Sequence, residues 1–407
     1  MSKKYRLAIL TTHPIQYQAP LFRKLAQHPQ LEITVYFCTD YGITERVDHG
    51  FGIAYKWDIP LLEGYSYKFL KNFSPNSSLV EPFSLINPGI IPELRRHRYD
   101  ALLIHGYTVA TNWIALLGGL TSKTPIIFRG ETVLQKNRSR WKRSLKRITF
   151  SLLFWHIRAF LPIGTMSKEF YLHYGIPEDR MFLTPYTVDN EFFFKQAEIE
   201  RTRAVETRKE VGIVKDFPVI LYVSKLTRRK RPFDLLMAFE RLHTPAALLF
   251  VGDGELKSSI ELYARGKKLK NVFFLGFKNQ TELPKYYAAA DIFVLPSSYE
   301  TWGLVINEAM CFGLPIVTTD RVAGARDLVR HGENGYIYPA DDVEALTYFL
   351  EKLIADSQLR QTMGGRSHEI ISHWSNEQAI KGIMEALESI TNHKVRGSIR
   401  QSVSPAL

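Results

Sequence analysis

The stretch Tyr299–Met310, YETWGLVINEAM, places Glu300 and Glu308 eight residues apart with Gly303 between them. Before it, Asp291–Leu295 is an apolar run of strand length. After it, Leu304–Phe312 has the content of a helix, closed by Gly313-Leu314-Pro315. Eight residues make about two helical turns plus a corner. Glu300 is therefore expected in the loop at the helix mouth, and Glu308 farther along the helix. The backbone N–H groups of Gly303, Leu304 and Val305 lack intrahelical partners there and can receive a phosphate. An ionised carboxylate is acceptor-only and can hold hydroxyls. Taken alone, the spacing is common, and a helix-dipole acid plus a surface glutamate would explain it. The strand before it and the glycine at the turn set it apart.

The same alternation runs through the whole chain. In the first half the pattern predicts strands at Arg6–Thr11, Leu31–Cys38, Ala101–Ile104, Pro125–Phe128 and Ala159–Leu161. Helices are expected at Ala19–Gln27, Pro88–His97 and Ser167–Tyr174. The second half repeats it, with strands at Pro218–Val223, Ala247–Val251, Val272–Leu275, Asp291–Leu295 and Pro315–Thr318. Helices are expected at Pro232–Leu242, Thr281–Ala289, Gly324–Arg330 and Asp341–Ile354. Short apolar strands separated by helices argue for parallel sheets covered on both faces. The expected fold class is α/β, with two Rossmann-like domains facing across a cleft. The boundaries read 1–190 and 191–374, with a charged passage at 198–215. A helix at 375–390 would return to the first domain, followed by a loose tail at 391–407. Ligands of such sheets bind at the carboxyl ends of strands, so the loops there are the places to look for chemistry.

Composition narrows the class. The chain has 407 residues, 45% of them hydrophobic, and a net charge of +12. This is enough apolar material for cores, and the charge biases the chain toward anionic partners. Cys38 and Cys311 form no disulfide framework and read as buried thiols of a cytoplasmic protein. The N-terminus lacks the features of a signal peptide. The apolar run Ile148–Gly164 is broken by His156, Arg158 and Pro162, so no membrane span is expected. Residues 136–147 carry seven positive charges and no negative one. Trp141, Leu145, Ile148, Leu152 and Trp155 then recur at helical spacing. Residues 136–155 suit either an anionic membrane surface or an ordinary helix packed on the sheet.

Several strand ends carry polar residues. Ser224–Pro232, SKLTRRKRP, holds five cations and no acid directly after a strand. Such a loop reads as a phosphate site or as a solvated basic loop. Gly252–Glu255, GDGE, closes the next strand, where glycine permits close backbone approach; alone it is only a common turn signal. In the first half the loop TTHPIQYQAP contains His13 and Gln16. His105 follows the strand ALLI, and Arg129 and Glu131 follow the strand PIIF. For His105 a core histidine is the structural alternative.

With these residues in place, the chain resembles the retaining GT-B glycosyltransferases of family 4. The resemblance lies in Glu300, Gly303, Leu304, Glu308, Ala309, Gly313, Pro315 and Val317. It continues in the segment Ser224–Arg231, in the VGDG turn, in HGENGYIYPADD and in the hinge-like LTPYTVDNEFF. It implies transfer of a sugar from a nucleoside-diphosphate donor to a hydroxyl of a saccharide or lipid-linked acceptor. It further implies retention of configuration, no metal or other cofactor, and a pathway making cell-surface polysaccharide or glycolipid. The first domain would be the acceptor side and the second the nucleotide-sugar side. Residue by residue, Glu300 would contact the donor sugar and Glu308 the ribose. Lys225 and Lys230 would hold the pyrophosphate. Ser224, Arg229, Gly252, Gly254, Gly303, Leu304 and Val305 would complete the donor site. His105 would sit near the transferred sugar, with His13, Gln16, Arg129 and Glu131 toward the acceptor. Lys225 stands where the family has arginine, losing the rigid bidentate fork, and a neighbour such as Arg228 or Arg229 is expected to assist. The family's opening glycine-rich loop is replaced by TTHPIQYQAP.

Rival classes are weaker. A basic GT-B-like protein that binds anionic lipid or nucleic acid without catalysis is the alternative, since fold does not fix function. It leaves the paired glutamates unexplained, and no nucleic-acid motif is present, so nucleic acid is not an expected partner. A phosphorylase would need a cofactor-lysine context that is not seen. The expected location is cytoplasmic, at most peripheral to the inner face of the membrane.

Overall fold

Two six-stranded sheets organise the chain, each all-parallel and each in the same strand order. The structure is a computed structural model that describes residues 4–48, 52–75, 79, 81–134, 150 and 154–401, the side chains of 392–401 excepted. The first sheet contains β1 (Tyr5–Thr11), β2 (Leu31–Phe37), β5 (Ser66–Phe69), β6 (Ala101–His105), β7 (Ile126–Arg129) and β8 (Ala159–Phe160), in the order β5-β2-β1-β6-β7-β8. The second contains β9 (Val219–Val223), β10 (Ala247–Val251), β11 (Val272–Phe274), β12 (Ile292–Leu295), β13 (Ile316–Thr319) and β14 (Gly335–Tyr338), in the order β11-β10-β9-β12-β13-β14. Both orders are the doubly wound arrangement that reverses beside its first strand. The chain thus has the expected architecture of two Rossmann-like domains.

Contacts divide the chain into two units. The first comprises Met1–Ile43, Leu61–Tyr186 and Asn376–Leu407, and the second Thr44–Pro60 and Thr187–Ser375. Residues 44–60, counted with the first domain by sequence, therefore group with the second unit. They hold the antiparallel hairpin of β3 (Arg46–Asp48) and β4 (Ile53–Tyr55). Asn279 Nδ2 donates to the Lys56 carbonyl at 2.7 Å, and the Tyr55 ring lies 4.9 Å from that of Phe277.

In the first unit, β1 shows why its strands read as continuous apolar runs. Ala8 and Leu10 join one core while Leu7 and Ile9 join the other, and Leu102 and Ile104 of β6 alternate likewise with Ala101 and Leu103. Successive side chains point to opposite faces, and both faces are covered. One cover is the helix Asn376–Gln401, whose Ala379, Ile383, Leu387 and Ile390 enter the second of these cores. This helix continues past Thr391, where the sequence suggested a loose tail.

The second unit absorbs the charged passage. Residues 190–210 form the helices Asn190–Arg201 and Ala204–Glu210. Arg201 donates to the Phe312 carbonyl at 3.0 Å, and Arg208 pairs with Asp291 at 2.8 Å. Two of the cations that made this stretch look like a linker are therefore anchors. The helix Leu304–Cys311 buries Ile306, Ala309 and Met310 completely.

Sequence reading missed the helices Ala110–Ser122 and Ser357–Ser372 and the strand β14. The stretch 135–149 lies outside the described residues, and with it the basic segment from Lys136 to Arg147. Of the neighbouring apolar positions, Phe150 and Phe154 are buried, while Trp155 is 82% exposed. Among the described residues no helix is long and apolar enough to cross a membrane.

Adjacent glycines in the helix Ser357–Ser372 make opposite predictions. A Cβ on Gly364 would lie 2.1 Å from the Gly313 carbonyl oxygen, whereas one on Gly365 would meet nothing within 4 Å. Gly365→Ala should therefore stabilise by about 0.5–1 kcal/mol through helix propensity. Gly364→Ala should destabilise by about 1–3 kcal/mol through overpacking, prising this helix from the end of Leu304–Cys311. Calorimetric Tm values of the two variants check the opposite signs.

Candidate functional site

In the second unit the sheet reverses between β9 and β12, whose register pairs only Ile292 with Ile220 and Phe293 with Leu221. The loops leaving these two strands meet. Ser298 donates to the Arg229 carbonyl through both its backbone N–H, at 2.9 Å, and its hydroxyl, at 3.0 Å. This brings Lys230 onto Glu300 as an ion pair. The side chains are only 12% and 8% exposed, respectively. Burial pushes the Lys230 pKa down, and Glu300 opposes that shift. Arg229 lies farther out, 3.6 Å from the second Glu300 oxygen, and is half-exposed. The Glu300 backbone is fixed from the other side, with its N–H to the Arg321 carbonyl and its carbonyl to the Ala323 N–H.

Gly303 turns the chain into the helix at φ 98°, a left-handed conformation that favours glycine. A Cβ there would also lie 3.0 Å from Val322 Cγ1 and 3.1 Å from Leu295 Cδ2. Leu304 and Val305 form the first turn, so their N–H groups head the helix beside Glu300. Glu308 follows, buried, and accepts from the Tyr287 hydroxyl at 2.7 Å. Burial raises its pKa to about 7, against opposing hydrogen bonds from Tyr287 and Gln280.

Lys225 leaves the same strand end and pairs with Asp48 of the hairpin at 2.7 Å. Both lysines nominated from the sequence are thus ion-paired with carboxylates. The turn at Gly252 and Gly254 packs on the loop that begins at Ser224. A Cβ on Gly252 would lie 1.9 Å from the Ser224 carbonyl oxygen, and one on Gly254 2.7 Å from that of Leu226. Asp342 caps its helix by accepting the Ala345 N–H at 2.8 Å, as its position before a helical run suggested.

In the first unit the reversal lies between β1 and β6. There Thr11, Gln18 and His105 form a short chain of hydrogen bonds. The Thr11 hydroxyl donates to Gln18 Oε1 at 3.1 Å, and Gln18 Nε2 lies 3.4 Å from His105 Nδ1. Burial, assisted by the charge of Arg129, lowers the His105 pKa to about 3, so the ring is neutral at physiological pH. Gln16 Oε1 is also buried, without a hydrogen-bond partner among the described residues. His13 Nδ1 lies 2.9 Å from the Thr12 hydroxyl, and its ring meets Tyr41 edge-on.

Arg129 is buried and donates to the Pro185 carbonyl at 3.1 Å, with its guanidinium over the Tyr186 ring. These contacts support the chain locally. Glu131 is exposed, and its carboxylate accepts from the Tyr186 hydroxyl. Among the described residues no three His, Cys, Asp or Glu side chains converge as a metal site. Sequence reading missed Asp48, Tyr287 and Gln18. Only Gln18 had a local signal, in the same loop as Gln16.

Comparison with known proteins adds to this geometry. Residues 204–369 match the family described as glycosyl transferases group 1. The chain is similar to the N-acetyl-alpha-D-glucosaminyl L-malate synthase of Bacillus anthracis, 30% identical over 187 residues, covering 45% of this chain and 47% of that protein. It is also similar to the lipopolysaccharide core biosynthesis glycosyltransferase LpsE of Rhizobium meliloti, 31% identical over 185 residues, covering 45% and 53%. The chain spans about half the length of the curated relatives it matches. Among solved structures it resembles Anabaena HepE in complex with UDP. The TM-score is 0.73 at 18% identity, over 94% of this chain and 100% of that one. That likeness is one of fold.

Glu308 makes a signed prediction. Its folded pKa of about 7 lies above the ordinary carboxylate value. The native state therefore binds this proton more tightly than the unfolded chain. The stabilisation is present at low pH and is lost as pH rises through about 7. Glu308→Gln removes the ionisation. Its Tm relative to the parent protein should shift in favour of the variant between about pH 5 and pH 8. A pH-independent difference in calorimetry would contradict the burial argument.

Proposed function

We infer, from a chain of GT-B fold whose residues 204–369 belong to the group 1 glycosyl transferases, that it moves a sugar from a nucleoside-diphosphate donor to an acceptor hydroxyl. The observation that carries this reading is the corner at the strand reversal of the second unit. There Lys230, Glu300 and the N-terminus headed by Gly303 come together. Departure of a nucleoside diphosphate develops negative charge on its oxygens. Lys230 and the first-turn N–H groups would stabilise that charge, with the helix dipole adding to it. Lys225 and the more exposed Arg229 would supply further charge.

The donor must compete with resident partners. Glu300 holds Lys230 and Asp48 holds Lys225. In the bound state phosphate oxygens would take over Lys230, and the freed Glu300 would accept sugar hydroxyls. Glu308, steadied by Tyr287, would accept the ribose hydroxyls. Its ionised form is the better acceptor and is favoured above about pH 7. As bonding to the leaving group weakens, the anomeric carbon gains oxocarbenium character. Retention of configuration follows the resemblance of this segment to retaining enzymes.

In the first unit His105 would meet the transferred sugar, with His13, Gln16 and Glu131 toward the acceptor. The relatives include an N-acetyl-alpha-D-glucosaminyl L-malate synthase and a glycosyltransferase of lipopolysaccharide core biosynthesis. A saccharide or lipid-linked acceptor in cell-surface polymer or glycolipid synthesis is the reading adopted. Peripheral attachment to an anionic inner membrane surface through 136–155 would suit a lipid-linked acceptor.

A thermal-shift panel of UDP, GDP, ADP and CMP with their sugars tests the donor class. Saturation at 100-fold over Kd stabilises by about 2.7 kcal/mol, so one nucleotide should raise Tm distinctly. Measured against each variant's own baseline, the shift should disappear in Lys230→Ala and Glu308→Ala. Absence of a shift with every nucleotide and sugar nucleotide would overturn the reading.

A further inference from the structure

The first unit holds a polar arrangement at its own strand reversal. β1 and β6 pair with Leu10 beside Ile104, which brings Thr11 next to His105 at the carboxyl ends of both strands. The residues that follow β1 loop out and return at Gln18, just before the helix Ala19–Gln27. Gln18 and Thr11 are both buried. The Gln18 amide spans the gap between them and the ring, with Thr11 on its oxygen and His105 Nδ1 facing its nitrogen. The His105 backbone is also fixed, since Asn112 Nδ2 donates to its carbonyl at 3.0 Å.

This chain of bonds has a direction. With the Thr11 hydroxyl donating to the amide oxygen, the NH2 group of Gln18 faces the ring. An NH2 group can only donate, so Nδ1 must accept. In a neutral imidazole the proton then resides on Nε2. The low pKa of His105 agrees with a neutral ring. Nε2 is buried and has no hydrogen-bond partner among the described residues. Leaving a buried donor without a partner costs stability. A structural histidine would be expected to spend both nitrogens on the protein. This one has a single nitrogen anchored and the other left open at the strand end.

We propose that Gln18, hydrogen-bonded to Thr11, is a positioning residue that fixes His105 in the Nε2-protonated tautomer, presenting a neutral N–H donor to a sugar oxygen. This rests on the glycosyl-transfer reading given above. A neutral donor suits a sugar hydroxyl or ring substituent near a centre that becomes positive during transfer. An imidazolium there would oppose that developing charge.

The test is nitrogen NMR of the full chain with 15N-labelled histidine, together with Gln18→Glu and Thr11→Val. The parent protein should give a pyrrole-type signal at His105 Nε2 and a pyridine-type signal at Nδ1. Gln18→Glu is nearly isosteric but supplies an acceptor, and it should move the proton to Nδ1. Thr11→Val removes the orienting hydroxyl and should leave a mixture of tautomers. It also reads the same relay if Gln18→Glu fails to fold. Protonation at Nδ1 in the parent protein, or an unchanged tautomer in both variants, overturns the proposal.

With the donor found in the nucleotide panel, Gln18→Glu should lose at least about tenfold in kcat, equivalent to about 1.4 kcal/mol, with little change in KM. Parental kcat despite a moved proton overturns the donor role of Nε2. If no sugar nucleotide is turned over, the functional reading fails. The ligand-free spectra still decide whether Gln18 sets the tautomer.

Discussion

The ion pair between Lys230 and Glu300 is the constraint around which the second unit is arranged. Two charges taken out of water must be closely paired, and removing one partner of such a pair typically costs about 3–5 kcal/mol. The fold meets that demand with backbone. Ser298 locks the two loops together, and Arg321 and Ala323 clamp Glu300 from the segment that follows β13. Gly303 then starts the helix at the same point. A hydrophobic pair would hold these loops as well or better. An ionic one places an exchangeable cation beside free helix N–H groups. The bond that secures the ligand-free corner is thus the one a diphosphate would have to replace.

The two units repeat the same device with different chemistry. In each, the sheet reverses beside its first strand, and the loops from the two diverging strands carry polar side chains that meet. In the second unit the meeting is ionic and lies at a helix start. In the first it is a neutral relay from Thr11 through Gln18 to His105. One cluster thus offers charge and the other a directed neutral bond. Asp48 adds a further element, because a hairpin encoded within the first half supplies a carboxylate to Lys225 in the second unit.

Much of this was legible in the sequence because it is local. Strands buried on both faces read as apolar runs, and Glu300, Gly303 and Glu308 lie on one strand-turn-helix segment. The partners were not legible, because they are brought in by topology. Tyr287 lies twenty-one residues before Glu308 and reaches it across the fold. Asp48 sits on a three-residue strand with no periodic signal. The helix Ser357–Ser372 was hidden by Gly364-Gly365, which resemble a turn but include a close packing contact with Gly313. The close packing of Gly252 and Gly254 on the neighbouring loop's backbone was equally hidden. The charged run before β9 resembled a linker because its arginines look solvated until the carbonyls and carboxylate they anchor to are known.

The central claim is that a donor diphosphate displaces Glu300 from Lys230 and that Glu300 then serves the sugar. Calorimetric titration of Glu300→Gln with the matching nucleoside diphosphate and its sugar nucleotide tests this most directly. The account predicts that the variant binds the bare diphosphate at least as tightly as the parent protein, because the competing carboxylate is gone. It also predicts that the variant loses affinity for the sugar nucleotide relative to the diphosphate. Equal weakening of both ligands in a folded variant would contradict it, leaving Glu300 a structural partner of Lys230 and nothing more.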